Sequence, residues 1–223
     1  MKLLLQAILK FSIGLLLVGA LLFLPAGGFD FWNGWLFVGL LFVPMLFLGI
    51  VLFCNAPDLL AKRLNAKETE STQRSVVALS ALIFMGGFIV AGLDFRFGWS
   101  YGYVPQGAVI AASGVLLVSY ALYAEVMREN VYLSRTVEVQ AEQRVIDKGL
   151  YGVVRHPMYA VTLWLFLAMP VVLGSWWALA VFALYIPVIV VRIVNEERVL
   201  TAGLDGYAAY KARVKFRLVP FIW

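Results

Sequence analysis

Two short runs hold most of the residue types that can do chemistry. The first is GLYGVVRHPMY, residues 149–159, with Arg155, the only histidine of the chain, His156, and Pro157. Proline suits the first position of a helix, because the N–H it lacks is one that a helix end leaves unpaired anyway. The run therefore predicts a helix starting at Pro157. Such a start exposes unpaired N–H groups and a partial positive charge, a natural site for a carboxylate or a phosphate. Arg155 and His156 strengthen it, Tyr151 and Tyr159 flank it, and Gly149 can end the element before it. The plainer reading is a basic anchor snorkelling at the end of a membrane span. The second run is RIVNEERVL, residues 192–200. Arg192 precedes Glu196 by four residues, so the two share a helix face. Glu196 and Glu197 follow a long apolar stretch, where a charge calls for a partner. The plainer reading here is an ion pair that merely closes a span.

Beyond these comes GYAAYKARVKFRLVPFIW, residues 206–223. Tyr207, Tyr210 and Val214 recur at helical spacing while Lys211, Arg213 and Lys215 project elsewhere. That describes a short basic amphipathic helix on a membrane surface, its lysines attached to lipid and its tyrosines able to close a pocket. An anion-binding helix start, two glutamates and several aromatic rings suit a zwitterionic, partly cationic ligand. No glycine-rich dinucleotide turn, P-loop or metal-ligand spacing occurs, and one histidine with one cysteine cannot build a zinc site of the usual kind.

The elements that must position these residues follow from composition. The 223 residues are 63% hydrophobic and 14% charged, with mean hydropathy +0.89. A soluble domain carries about 45–50% apolar and about 25% charged residues, and a soluble fold could not hide this much apolar surface. The sequence predicts an all-α, polytopic integral membrane protein. Apolar stretches at about 3–24, 31–54, 75–93, 104–126, 157–173 and 176–194 give six spans, each near the length a bilayer requires. The last two, separated only by Gly174 and Ser175, form a helical hairpin; five spans result if that hairpin is partly re-entrant. Four spans occupy 1–126, and 127–223 is the ligand-binding region of a single membrane domain. Pro44, Pro170 and Pro187 can kink helices. Cys54 reads as a small buried hydrophobe.

With six spans, seventeen of the eighteen Lys and Arg residues lie on one side, Lys67 and Arg135 among them, and only Arg96 lies on the other. The positive-inside rule makes that side cytoplasmic and places both termini there. The net charge of +5 is then topology and attraction to anionic lipid, with no nucleic-acid partner implied. Trp32, Trp35, Trp99, Tyr101 and Tyr103 mark the interfaces. The central thirds of the spans contain no Asp, Glu, Lys, Arg or His, which disfavours a transporter and places chemistry at the cytoplasmic interface.

The order GLYGVVRHPMY, a helical hairpin, NEERVL, then Tyr207, Tyr210, Arg213 and Val214 and a closing PFIW resembles the isoprenylcysteine carboxyl methyltransferase family, its bacterial and archaeal members in particular. The resemblance covers about residues 139–223 and leaves the first spans unmatched. It implies S-adenosylmethionine as cofactor, a lipophilic acceptor drawn from the bilayer, and a bacterial inner-membrane location. It implies that Arg155, His156 and the helix start at Pro157 hold the methionine carboxylate, with Gly149, Tyr151, Tyr159 and Tyr210 about the pocket. Glu196 or Glu197 pairs with the amino group, adenine lies against 145–149, and Arg192 orients the acceptor, with Arg192 and Glu196 the candidate catalytic residues. A carboxylate acceptor is already ionised near neutral pH and needs no general base; alignment and exclusion of water do most of the work. The family pattern carries glycine where this chain has Val161, a side chain that would meet any cofactor approaching the backbone there. Sterol-type membrane reductases share an R-H-P-x-Y element and use NADPH, which makes them the reading from another reaction class. Phospholipid or thiol methylation and a non-enzymatic scaffold are the remaining readings.

Overall fold

Every described element is helical, and the described residues, 2–64, 71–133, 139–140 and 142–223 (the side chains of Ser71 and Thr72 excepted), are those of a computed structural model. Lys67 and Arg135 lie outside them. In order, the helices are α1 (Lys2–Ala26), α2 (Trp32–Asn55), α3 (Pro57–Leu64), α4 (Ser71–Phe97), α5 (Gln106–Glu129), α6 (Pro157–Val172), α7 (Trp176–Ala183), α8 (Tyr185–Gly203) and α9 (Tyr207–Arg213), with a single 3-10 turn, Gly149–Gly152, before α6. Among the described residues five helical stretches are long and apolar enough to cross a membrane, and the 16-residue α6 is a shorter apolar helix. The six predicted apolar stretches all recur as helices. The second arm of the hairpin, Trp176–Gly203, bends at Leu184 between α7 and α8. Pro187 explains the bend: it offers no N–H to the carbonyl of Ala183 and its ring crowds that group.

Large apolar side chains point outward along the spans, Leu16 at 72% and Phe47 at 69% exposure among them. Water would reject such a surface; lipid accepts it, so the bundle interior need not be its most apolar part. Cys54 belongs to this outer surface. It is exposed on the last turn of α2, contrary to the expectation of burial, because in lipid an apolar stretch no longer signals an inward face. Inside, α5 packs along α6, α1 along α4, and α4 against α7 and α8. Contact between α1 and α4 depends on Gly92: a Cβ there would stand 2.4 Å from the Leu22 carbonyl oxygen.

The end of the bundle away from most basic residues is closed by one buried carboxylate. Asp94 accepts hydrogen bonds from the Ser100 N–H (2.6 Å) and hydroxyl (2.5 Å), the Tyr101 N–H (3.0 Å) and the Ser175 hydroxyl (2.5 Å). Ser175 in turn caps α7 by accepting from the Ala178 N–H, and the Ser100 hydroxyl accepts from the Trp176 N–H. Tyr101 donates its hydroxyl to Asn33, so it is half-buried in this network, whereas Trp32, Trp99 and Tyr103 stand exposed as interface rings should. Replacing Asp94 by alanine strands several buried donors, each worth about 1–3 kcal/mol. Asp94→Ala is expected to lose about 3 kcal/mol or more of stability, and Asp94→Asn less, read as thermal unfolding in detergent; a loss below about 1 kcal/mol for Asp94→Ala would contradict this role.

Candidate functional site

At the basic end, a cleft opens between the segment after α5, the Gly149–Gly152 turn, the start of α6, the end of α8 and α9. Tyr151, Arg155, His156, Tyr159, Glu196 and Tyr210 line it, as do Val145 and Ile146. The structure thus gathers six of the expected site residues, from positions up to 59 apart in sequence, around one space of about 820 Å³, its open mouth included. Pro157 is the first residue of α6, as its sequence position predicts, with His156 at the cap. Among the described residues no acceptor meets the N–H groups of Met158 or Tyr159, and both residues line the cleft.

Four expected residues, Gly149, Pro157, Arg192 and Glu197, do not line it. Gly149 shapes the wall from behind: its φ is +56°, and the space a Cβ would fill is held by the Glu129 carboxylate, 1.7 Å from that position. Glu129 accepts from the Leu150 N–H at 3.0 and 3.1 Å, anchoring the turn to the end of α5. Glu197 faces a surface hollow with Arg198, Thr201, Lys211 and Arg217. Arg192 lies in a separate groove lined by α4, α6 and α8, together with Arg63 of α3 and Tyr123 of α5. Met158 and Tyr159 line both the cleft and this groove, so they are the partition between them. Through that partition runs a chain of hydrogen bonds: Arg192 Nε donates to the Tyr159 hydroxyl at 2.9 Å, and the hydroxyl donates to Glu196.

The two glutamates have different settings. The Glu196 side chain is 22% exposed, in the cleft, with His156 Nδ1 at 4.0 Å from Oε1. Glu197 is 3% exposed and receives Arg155 Nε at 2.7 Å, His156 Nε2 at 3.4 Å, Lys211 Nζ at 3.3 Å, and Arg217 Nε and Nη2 at 3.1 and 3.0 Å. Lys211, expected at the lipid surface, keeps 40% of its side chain exposed while its ammonium reaches Glu197. Arg155 also donates Nη1 to the carbonyls of Val214 (2.7 Å) and Lys215 (2.8 Å). The N–H groups of Arg155 and His156 donate to the carbonyls of Phe216 and Arg217. Residues 214–217 therefore strap the start of α6 in place.

Aromatic residues complete the walls. Tyr207 and Tyr210 are buried on the apolar face of α9, as their spacing predicts. Tyr210 donates its hydroxyl to the Tyr151 carbonyl at 2.8 Å, and the Tyr151 hydroxyl accepts from Asn130 Nδ2 at 2.9 Å. Burial pushes the phenols of Tyr151, Tyr207 and Tyr210 well above their ordinary pKa, so all three stay neutral. The Tyr207 hydroxyl is buried and has no hydrogen-bond partner among the described residues. Val161 is buried and does not line the cleft, so its side chain does not crowd that space. Sequence reasoning missed Asn130, Tyr132 and Gln143, which line the cleft from a segment without periodicity; polarity between two spans was their only signal.

Comparison with known proteins adds to this geometry. Residues 104–204 match the phospholipid methyltransferase family, PEMT. Over that stretch the chain is similar to membrane methyltransferases. The match runs from α5 to the end of α8 and takes in the cleft apart from Tyr207 and Tyr210. No curated protein matches the chain.

Because Gly149 combines a left-handed backbone with an occupied Cβ position, Gly149→Ala is expected to cost about 1–3 kcal/mol. Thermal unfolding in detergent checks this, and an unchanged midpoint would show that Glu129 and the turn do not hold each other.

Proposed function

We propose that this protein is an S-adenosylmethionine-dependent methyltransferase that modifies a lipophilic acceptor at the membrane interface. The observation that carries the reading is Tyr207: a buried hydroxyl with no hydrogen-bond partner among the described residues, on the wall of a cleft that also presents Glu196 and the N–H groups at the start of α6 that no described acceptor meets. An unpartnered buried polar group costs about 1–3 kcal/mol, a penalty a bound polar ligand removes. The donor set fits the expected group. Arg155 and the Met158 and Tyr159 N–H groups suit its carboxylate, Glu196 suits its ammonium, and Val145, Ile146 and Leu204 offer an apolar surface for adenine. When bound, S-adenosylmethionine supplies a methyl carbon made electrophilic by its sulfonium.

The chain's own residues then have three tasks. The tyrosines about the cleft present ring faces compatible with a cation and exclude water. Tyr159 and Met158 line both the cleft and the groove and so mark where the two adjoin, the place where an acceptor would have to meet the methyl group directly and in line with its bond to sulfur. Arg192 and Arg63 line the groove, where an anionic acceptor group would be oriented while its apolar tail lies along α4 and α6. By the positive-inside rule this end of the bundle faces the cytoplasm.

Among the described residues lining the groove there is no Asp, Glu or His. An acceptor that must first lose a proton finds no base there, whereas a carboxylate needs none. That favours carboxyl O-methylation of an apolar acid, such as an isoprenylcysteine-like acceptor. The family match over 104–204 favours a second reading, methylation of a phospholipid amine. Membranes containing the protein, incubated with S-adenosylmethionine labelled in the methyl group, distinguish them. Carboxyl methylation predicts label in the organic extract that mild alkali releases as methanol; alkali-stable label in phospholipid would install the second reading, and no transferred label with either class of acceptor would contradict both. Tyr207→Phe is expected to leave the ligand-free protein as stable or about 0.5–1 kcal/mol more stable, and to weaken S-adenosylhomocysteine binding about 5-fold; stability that falls with unchanged affinity would remove Tyr207 from the site.

A further inference from the structure

We infer that Glu197 is a positioning residue of the cleft, one that fixes Arg155 and His156 from behind and does not touch the bound ligand. The inference rests on the reading of the cleft as an S-adenosylmethionine site. A carboxylate offers about four lone-pair positions, and those of Glu197 are taken. Oε1 receives Arg155 Nε at 2.7 Å and His156 Nε2 at 3.4 Å; Oε2 receives Arg217 at 3.0 and 3.1 Å and Lys211 at 3.3 Å. One oxygen thus serves the start of α6, and the other serves α9 and the 214–217 strap. The side chain is 3% exposed and does not line the cleft, whereas the adjacent Glu196 does.

The consequence is a division of labour between neighbouring glutamates. Glu196 faces the ligand and meets an ammonium directly. Glu197 sets the guanidinium of Arg155 against the strap and turns the imidazole so that its other nitrogen lies toward Glu196. A ligand never meets Glu197, yet the residues that hold the ligand's carboxylate depend on it.

Isothermal titration with S-adenosylhomocysteine and its des-amino analogue separates the two roles. The wild-type protein is expected to prefer S-adenosylhomocysteine by about tenfold or more, the size of a charge-assisted hydrogen bond. Glu196→Gln abolishes that preference. Glu197→Gln weakens both ligands by the same factor, on the order of tenfold, and keeps the preference. Loss of the preference in Glu197→Gln, with the des-amino analogue bound as before, would overturn the inference. If Glu197→Gln does not fold, Arg217→Gln takes its place: it lies outside the cleft lining, and both affinities should fall about 2–5-fold with the preference intact. Unchanged affinities in Arg217→Gln would overturn the inference. A wild-type protein that binds neither ligand would sink the cofactor reading itself, and the inference with it.

Discussion

A buried ion cluster at the start of α6 is the interaction on which the rest of the basic end depends. Glu197 and Arg155, with His156 beside them, are nearly inaccessible to solvent, and the two opposite charges of Glu197 and Arg155 so placed destabilise a fold unless each is paired and hydrogen-bonded. The pairing is complete because three separate segments contribute to it: the loop before α6, α9 and the strap at 214–217. The first two of these wall the cleft, and the strap holds the first in place. Satisfying the charges and assembling the site are therefore coupled, and the same packing leaves Glu196 and Tyr207 lining the cleft.

The opposite end follows the same rule in simpler form. Asp94 gathers Ser100, Tyr101 and Ser175 and so joins the turn after α4 to the hairpin between α6 and α7. With both ends fixed by buried carboxylates, the helices between them need only shape to pack, which Gly92 and the aromatic contacts of Phe84, Phe166 and Phe182 provide. Lipid supplies no hydrophobic drive for helices to associate, so polar closure at the ends carries much of the specificity.

The spans, the start of α6 at Pro157 and the inward face of α9 were legible in sequence, because each rests on a local rule: apolar length, proline without an N–H, or helical spacing. Choosing between Glu196 and Glu197 was not. Adjacent helical residues point about 100° apart, and the rotation of α8 that decides which one meets the cleft is set by packing against α4 and by the strap. The pairing of Lys211 with Glu197 was hidden for the same reason: its partner comes from another element. Cys54 misled because burial in a soluble core and contact with lipid leave the same apolar signature. Gly149 was legible as a special position, yet its occupant, Glu129, could not be read from a residue twenty positions away.

The cleft and the groove adjoin at Met158 and Tyr159, and the central proposal is that the cleft takes a methyl donor while the groove admits an acceptor from the bilayer. A reductase would instead require nicotinamide in the cleft. The most direct measurement is isothermal titration of the purified protein in detergent with S-adenosylhomocysteine and, in parallel, NADPH. Saturable binding of S-adenosylhomocysteine at one site per chain, with no heat from NADPH, is the predicted result; saturable NADPH binding without S-adenosylhomocysteine binding would contradict it.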